Sequence, residues 1–174
     1  RAIARCDGGV FMLDGTNEIS QVDEQLAMIA QKAFKPVVLV INKWDLVEGM
    51  KNSRGKDVCV EDYETYLRKE LRGLSFAPLV FASSEHGVNL DGILEVAFDL
   101  LEQAGSRVST GKLNRVVRGL IDARGPSSKL GLACKVYYVT QIRSHPPTIA
   151  LVVNEPKLYT DNYERFLMNR FREE

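Results

Sequence analysis

Three short apolar runs, Val10 to Leu13, Pro36 to Ile41 and Pro78 to Ala82, do most to limit the folds open to this chain. Each run is continuous, not alternating, as expected of strands buried on both faces of a sheet. Each is followed by apolar residues at helical spacing. The first stops at Asp14-Gly15, a turn signal, and Ser20-Gln21-Val22-Asp23 reads as a capping box. The helix it opens carries Val22, Leu26, Ile29 and Ala30 on one face. Pro36 leads in the second run, a position where a strand tolerates proline. The polar stretch from Glu48 to Lys56 reads as a loop, and Tyr63, Tyr66, Leu67 and Leu71 then recur at helical spacing. After the third run, Leu90, Ile93, Leu94, Ala97, Phe98 and Leu101 form a regular amphipathic helix. This alternation predicts an α/β fold, with a parallel sheet, helices on both faces and right-handed crossovers. Such sheets bind ligands beyond the carboxyl ends of their strands. The residues just after Leu13, Ile41 and Ala82 are therefore the place to look.

The pattern changes after Gly105. Leu113, Val116, Val117, Leu120 and Ile121 line one side of a helix that Gly125-Pro126-Ser127-Ser128 ends. A β-rich run from Ala133 to Gln141 is broken by His145-Pro146-Pro147, and Ile149 to Val153 reads as a second strand. A last helix presents Tyr159, Tyr163, Phe166, Leu167 and Phe171 inward. The order α-β-β-α predicts a small α+β domain over residues 106–174, following an α/β domain over residues 1–105. Charge divides at the same place. The first part holds 11 basic and 17 acidic side chains, the second 12 basic and 6 acidic, although the whole chain is neutral. A basic second half suggests a nucleic-acid partner.

Composition narrows the class further. At 45% hydrophobic and 26% charged, the 174 residues resemble an ordinary globular protein. The longest aliphatic run, Val37 to Ile41, is far short of the roughly 20 apolar residues of a membrane span. No basic-then-apolar leader opens the chain. Cys6, Cys59 and Cys134 are odd in number and scattered, which argues against a disulfide framework or a zinc site. A cytoplasmic location is expected.

The second apolar run delivers Asn42-Lys43-Trp44-Asp45. A carboxylate such as Asp45 accepts two parallel hydrogen bonds, and guanine offers a ring N–H beside an exocyclic amine where adenine has no matching pair. A lysine stem, here Lys43, can lie along a base face while its ammonium reaches water. Asn42 carries both a donor and an acceptor and suits cross-linking neighbouring loops. The third run ends in Ala82-Ser83-Ser84-Glu85-His86-Gly87, small hydroxyl residues and a glycine that let backbone N–H groups approach a ring carbonyl. Neither His86 nor His145 has further ligands near it in sequence, so neither reads as a metal or catalytic residue.

These two segments resemble the guanine-specificity motifs of Ras-like, Era-type GTPases. Phe11-Met12-Leu13-Asp14-Gly15-Thr16 with Glu18 and Asp23, and Val40 to Val47, are similar to the second GTPase domain of the double-Era-domain family (Der, or EngA). Lys112 to Val117, Lys135 to Gln141, Pro146-Pro147-Thr148, Val153 to Pro156 and Tyr163 to Leu167 resemble that family's carboxyl-terminal KH-like domain. The resemblance implies a bacterial GTP-binding, GTP-hydrolysing protein acting in ribosome biogenesis, with the large ribosomal subunit and ribosomal RNA as partners. Its guanine-binding residues would be Asn42, Lys43, Asp45, Ser83 and Ser84. Asp45 would take the guanine N–H groups, Lys43 would pack on the base and Asn42 would tie the base loop to the phosphate loop. Ser83 would steady Asp45, and the Ser84 N–H would face the guanine carbonyl. Two rival readings are a nucleotide-independent RNA- or protein-binding module and another Era-like GTPase.

Hydrolysis of GTP also needs a Gly-x-x-x-x-Gly-Lys-Ser/Thr loop and Mg²⁺. That loop is absent from this sequence. Gly49 to Lys56 and Gly105 to Lys112 each have five residues between the glycines, and Asp57 and Leu113 stand where the metal-binding hydroxyl belongs. Asp122-Ala123-Arg124-Gly125 fits a switch-loop pattern but follows the base motifs, and reads as a helix end. The expectation is an incomplete Ras-like P-loop GTPase domain that keeps the guanine half of a GTP/GDP site. Catalytic residues, Mg²⁺ and the switch regions would belong to missing upstream GTPase segments of the same polypeptide, with a phosphate loop about 60–90 residues before Arg1. The fragment alone is expected to be inactive. No Gly-x-x-Gly, the RNA clamp of ordinary KH domains, lies between the elements of the second half, and a last KH strand is expected to be lacking after Glu174.

Overall fold

The computed structural model describes residues 2–51, 55–127 and 133–173, so part of the expected 48–56 loop and Ser128 lie outside the described residues. The chain forms two compact units, one running to Ala104 and the other starting at Gly105.

In the first unit a short helix α1 (Ala2–Arg5) precedes β1 (Gly9–Asp14), α2 (Gln21–Lys32), β2 (Val37–Asn42), α3 (Trp44–Val47), α4 (Val60–Glu70), β3 (Leu79–Phe81) and α5 (Leu90–Gly105). The three strands form a parallel sheet in the order β1-β2-β3. Every residue of β2 from Val37 to Ile41 is buried, and the strand feeds two cores at once. Leu39 and Ile41 pack with Ala27, Ala30, Leu67, Leu71 and Leu74. Val38 and Val40 pack with Val80, Ala82 and Ile93. Two-sided burial is the reason the second apolar run shows no alternation, and each such side chain stabilises by about 1.5–3 kcal/mol.

The capping box forms: Ser20 Oγ accepts from the Asp23 N–H, and the Asp23 carboxylate accepts from the Ser20 N–H. The helix face expected to be buried is corrected, however. Val22, Leu26 and Ile29 are exposed; of that face α2 buries Ala30 alone, together with Ala27 from beside it. The small residues permit a close approach to the 3-10 turn Arg72–Leu74, where a Cβ on Gly73 would lie 3.5 Å from the Ala27 backbone. In α5 only the Ile93 stripe, with Val96, Ala97 and Leu100, meets the sheet; Leu90, Leu94 and Phe98 are exposed.

The second unit is α6 (Thr110–Ala123), β4 (Val136–Arg143), β5 (Thr148–Val153) and α7 (Asp161–Glu173), with β4 and β5 antiparallel. Its core joins Leu113, Val117 and Val139, with Ile121, Val136, Ile149, Leu151 and Phe171 around them. Helix α6 ends at Ala123, so Asp122 to Gly125 is a helix terminus. Tyr159 precedes α7, where its hydroxyl lies 2.9 Å from Cys134 Sγ, and Cys134 itself precedes β4. Gln141, buried in β4, ties the segment before α6 to the sheet. Its Oε1 accepts from the Val108 N–H at 2.8 Å, and its Nε2 donates to the Ser106 carbonyl at 3.3 Å.

Candidate functional site

The registers place Asp14 beside Asn42 and Ile41 beside Phe81, so all three strands end at one edge of the sheet. The chain turns sharply there. Gly15 donates its N–H to the Asn42 carbonyl at 2.9 Å, and a Cβ on Gly15 would lie 3.0 Å from Ile41 Cγ2 and 3.1 Å from that carbonyl oxygen. A side chain at position 15 would push the two loops apart.

After Asn42 the backbone enters the left-handed region at Lys43, with φ 62° and ψ 33°. This conformation is unfavourable for a residue with a Cβ and is held only where its surroundings fix it. The fixing groups are visible on both sides. Trp44 donates its N–H to the Ala82 carbonyl at 3.0 Å, and its ring packs against Phe81 and Tyr63 at centroid distances of 4.4 and 5.3 Å. Tyr63 donates its hydroxyl hydrogen to the Gly15 carbonyl, and Tyr66 accepts from the Ile19 N–H, each at 3.0 Å. Helix α4 thus clasps the β1–α2 loop through two phenols.

The sequence-expected residues come together at this edge. Asn42 Oδ1 accepts from both the N–H and the hydroxyl of Ser84, each at 2.9 Å. Asn42 therefore joins the loops after β2 and β3, and the Ser84 N–H that was expected to face a base carbonyl is held by Asn42. Ser83 is buried and sits at the start of a tight loop in which its backbone pairs with Val88. Its Oγ accepts from the His86 N–H at 3.3 Å, a bond that closes the local turn. Gly87, at φ +69°, supplies the left-handed residue that turn requires.

Asp45 lies in the first turn of α3. Its Oδ2 faces His86 Nε2 at 3.6 Å. Its Oδ1 is buried and accepts no hydrogen bond among the described residues. A buried carboxylate oxygen without a donor is costly, and such atoms call for an explanation. The Lys43 side chain is 52% exposed, and its ammonium also meets Asp14 Oδ2 at 2.8 Å. Asp14 Oδ1 in turn accepts from the Thr16 hydroxyl at 2.6 Å and the Thr16 N–H at 3.0 Å. Lys43 first, and then these Thr16 donors, hold the Asp14 carboxyl at about 2, well below the usual range. Asp14, Thr16 and His86 thus join the site; the motif segments contain them, but no binding role was assigned to them there. The signal for Asp14 was its place as the last residue of an apolar strand.

Among the described residues, no group of three or more His, Cys, Asp and Glu side chains is arranged to hold a metal ion. No described helix is long and apolar enough to cross a membrane.

Comparison with known proteins places this geometry in a family. Residues 1–103 match the elongation factor Tu GTP binding domain, and residues 107–174 match the KH-domain-like C-terminal module of EngA bacterial GTPase enzymes. The chain is 36% identical to GTPase Der of Rhodopirellula baltica over 173 residues, covering 99% of this chain and 37% of that protein. It is also 36% identical to GTPase Der of Fusobacterium nucleatum, over 99% of this chain and 38% of that one. The chain therefore spans under two fifths of the length of these relatives. A solved structure of a probable GTP-binding protein engB aligns with 58% of this chain and 60% of its own, at a TM-score of 0.44 and 16% identity. The chain belongs to the family of GTPases with an elongation factor Tu type GTP-binding domain, in the EngA (Der) group that adds a KH-domain-like module.

Proposed function

We propose that this chain is the carboxyl-terminal part of a GTP-binding, GTP-hydrolysing protein of ribosome assembly, and that its first unit reads the guanine base. Residues 1–105 would be the base-reading part of a Ras-like domain and residues 106–174 the KH-like domain. The observation that carries the reading is the unpartnered, buried Asp45 Oδ1 at the carboxyl edge of a parallel sheet. The guanine ring N–H and exocyclic amine supply the two donors that a carboxylate there lacks. The Lys43 stem would cover one face of the ring while its ammonium stays on Asp14. The Ser84 N–H would pass from Asn42 Oδ1 to the guanine carbonyl, an exchange of one acceptor for another at the same loop.

The phosphate-holding groups and Mg²⁺ would come from residues outside these 174, since the sequence contains no phosphate loop and spans 37–38% of its Der relatives. The base-reading part alone would hydrolyse nothing. The intact cytoplasmic protein is expected to bind GDP at least ~100-fold more tightly than ADP in calorimetry, because a site built for donor pairs discriminates strongly against a base lacking them. Equal affinity for the two would overturn the reading.

The large ribosomal subunit and its RNA are the proposed partners of the second half, with its 12 basic and 6 acidic side chains. Sedimentation of the intact protein with large subunits should then weaken steeply as salt rises, through counterion release. A flat salt response would remove the electrostatic part of this proposal.

A further inference from the structure

We propose that Asp14 is a positioning residue for nucleotide binding: its carboxylate fixes the Lys43 ammonium, and so sets the course of the lysine stem that covers the base. The inference rests on the reading of this edge as a guanine site.

The placement follows from the strand register. Asp14 and Asn42 are the last paired residues of β1 and β2, so Lys43 is the first residue beyond the pair. Its left-handed backbone accompanies a side chain whose ammonium lies over the end of β1, 2.8 Å from Asp14 Oδ2. The two oxygens of Asp14 have separate tasks. Oδ1 takes the Thr16 N–H and hydroxyl, which locks the carboxylate to its own turn, and Oδ2 is left for Lys43. The low pKa of Asp14 keeps this oxygen anionic throughout the neutral range.

Stability gives little reason for such an arrangement. The two side chains are 52% and 30% exposed, and an exposed ion pair contributes little to folding. Its value lies in order. A free lysine stem samples many rotamers, and holding it in place before the ligand arrives removes that cost from binding. The neighbours Asn42 and Trp44 are fixed by Ser84 and Ala82, and Asp14 does the same for the Lys43 ammonium.

The test is a double-mutant cycle on the intact protein, read as GDP affinity. Asp14→Asn keeps an oxygen for the Thr16 turn and puts an NH₂ in place of the anionic oxygen that holds Lys43. It should weaken GDP roughly five- to tenfold, as expected for removal of a coupling between contacting residues. In a Lys43→Met background the same substitution should change affinity less than about twofold, because the group it positions is gone. Thr16→Val loosens Asp14 without touching the pair and should give a smaller loss that also vanishes in Lys43→Met. Equal losses in both backgrounds would mean that Asp14 acts on the fold alone, and would overturn the proposal. So would native affinity in Asp14→Asn when Lys43→Met is weakened. If neither Lys43→Met nor Asp45→Asn alters GDP affinity, the guanine-site reading itself fails, and the proposal with it. Thermal unfolding of each variant separates these outcomes from misfolding.

Discussion

Asp45→Asn in the intact protein should weaken GDP by roughly 10²- to 10⁴-fold and improve binding of xanthosine diphosphate. The factor comes from two hydrogen bonds to a charged acceptor, each worth about 1.5–3 kcal/mol. Asp45 Oδ1 is buried and has no donor among the described residues, and Oδ2 has only the His86 imidazole at 3.6 Å. A ligand with two adjacent N–H donors satisfies both oxygens, and guanine is such a ligand. Asparagine keeps the shape but presents an NH₂ where an oxygen stood, so two donors would meet. Xanthine carries a carbonyl in place of the exocyclic amine and restores the complement. Calorimetry with both diphosphates reads the exchange directly. GDP affinity within about threefold of native would remove Asp45 from the base site, since the loss of even one charge-assisted bond exceeds that.

Different parts of this structure were legible in the sequence to different degrees, for physical reasons. The β2 run could be read because a strand packed on both faces must be apolar at every position, and Val37 to Ile41 are. The capping box could be read because Ser20 and Asp23 act through local backbone, whatever surrounds them. The buried faces of α2 and α5 could be read only in part: Ala30, Ile93 and Ala97 pack inward as their stripes suggest, while Val22, Leu26, Ile29, Leu90, Leu94 and Phe98 do not. Periodicity finds apolar stripes but does not say which stripe the sheet receives, and in α2 the small Ala27 and Ala30 permit the closest packing. The second unit was legible in outline, because α6, β4, β5 and α7 each carry their own period. Cys134 and Tyr159 fell just outside the elements assigned to them.

The site divides in the same way. Asn42, Lys43, Asp45, Ser83 and Ser84 meet at one edge because Asn42 ends a strand and the others closely follow one, and parallel strands in register bring their ends together. Their partners were less predictable. Each polar group there has several neighbours able to bond it, and the choice depends on tenths of an ångström that spacing does not encode. Thus the Ser84 N–H goes to Asn42, the Ser83 hydroxyl to the His86 N–H, and the Lys43 ammonium to a residue on another strand.

In the second unit, Asn114→Asp should destabilise the fold more than Asn114→Ala, which itself should cost about 2–4 kcal/mol. The Asn114 side chain on α6 satisfies both backbone groups of Val139: its Nδ2 donates to the carbonyl at 2.9 Å, and its Oδ1 accepts from the N–H at 3.2 Å. Val139 is fully buried in the core with Leu113 and Val117, so its backbone groups depend on Asn114 for these bonds. Alanine would leave a buried N–H and a buried carbonyl unmade, at about 1–3 kcal/mol each. Aspartate keeps an acceptor for the N–H but sets a second oxygen against the Val139 carbonyl and against the Thr110 carbonyl, which Nδ2 now reaches at 2.8 Å. Denaturant unfolding gives the order of the variants, and hydrogen exchange at the Val139 amide localises the effect. Unchanged protection of that amide in Asn114→Ala would show that the lock between α6 and β4 is held elsewhere. Asn114 belongs to one of the segments by which the second half resembles a KH-like domain, so its role bears on how that resemblance is read. An asparagine spent on the backbone of β4 supports the shape of the unit. Weakened ribosome binding in its variants should therefore track their loss of stability, whereas exposed basic side chains should affect binding while leaving stability nearly unchanged.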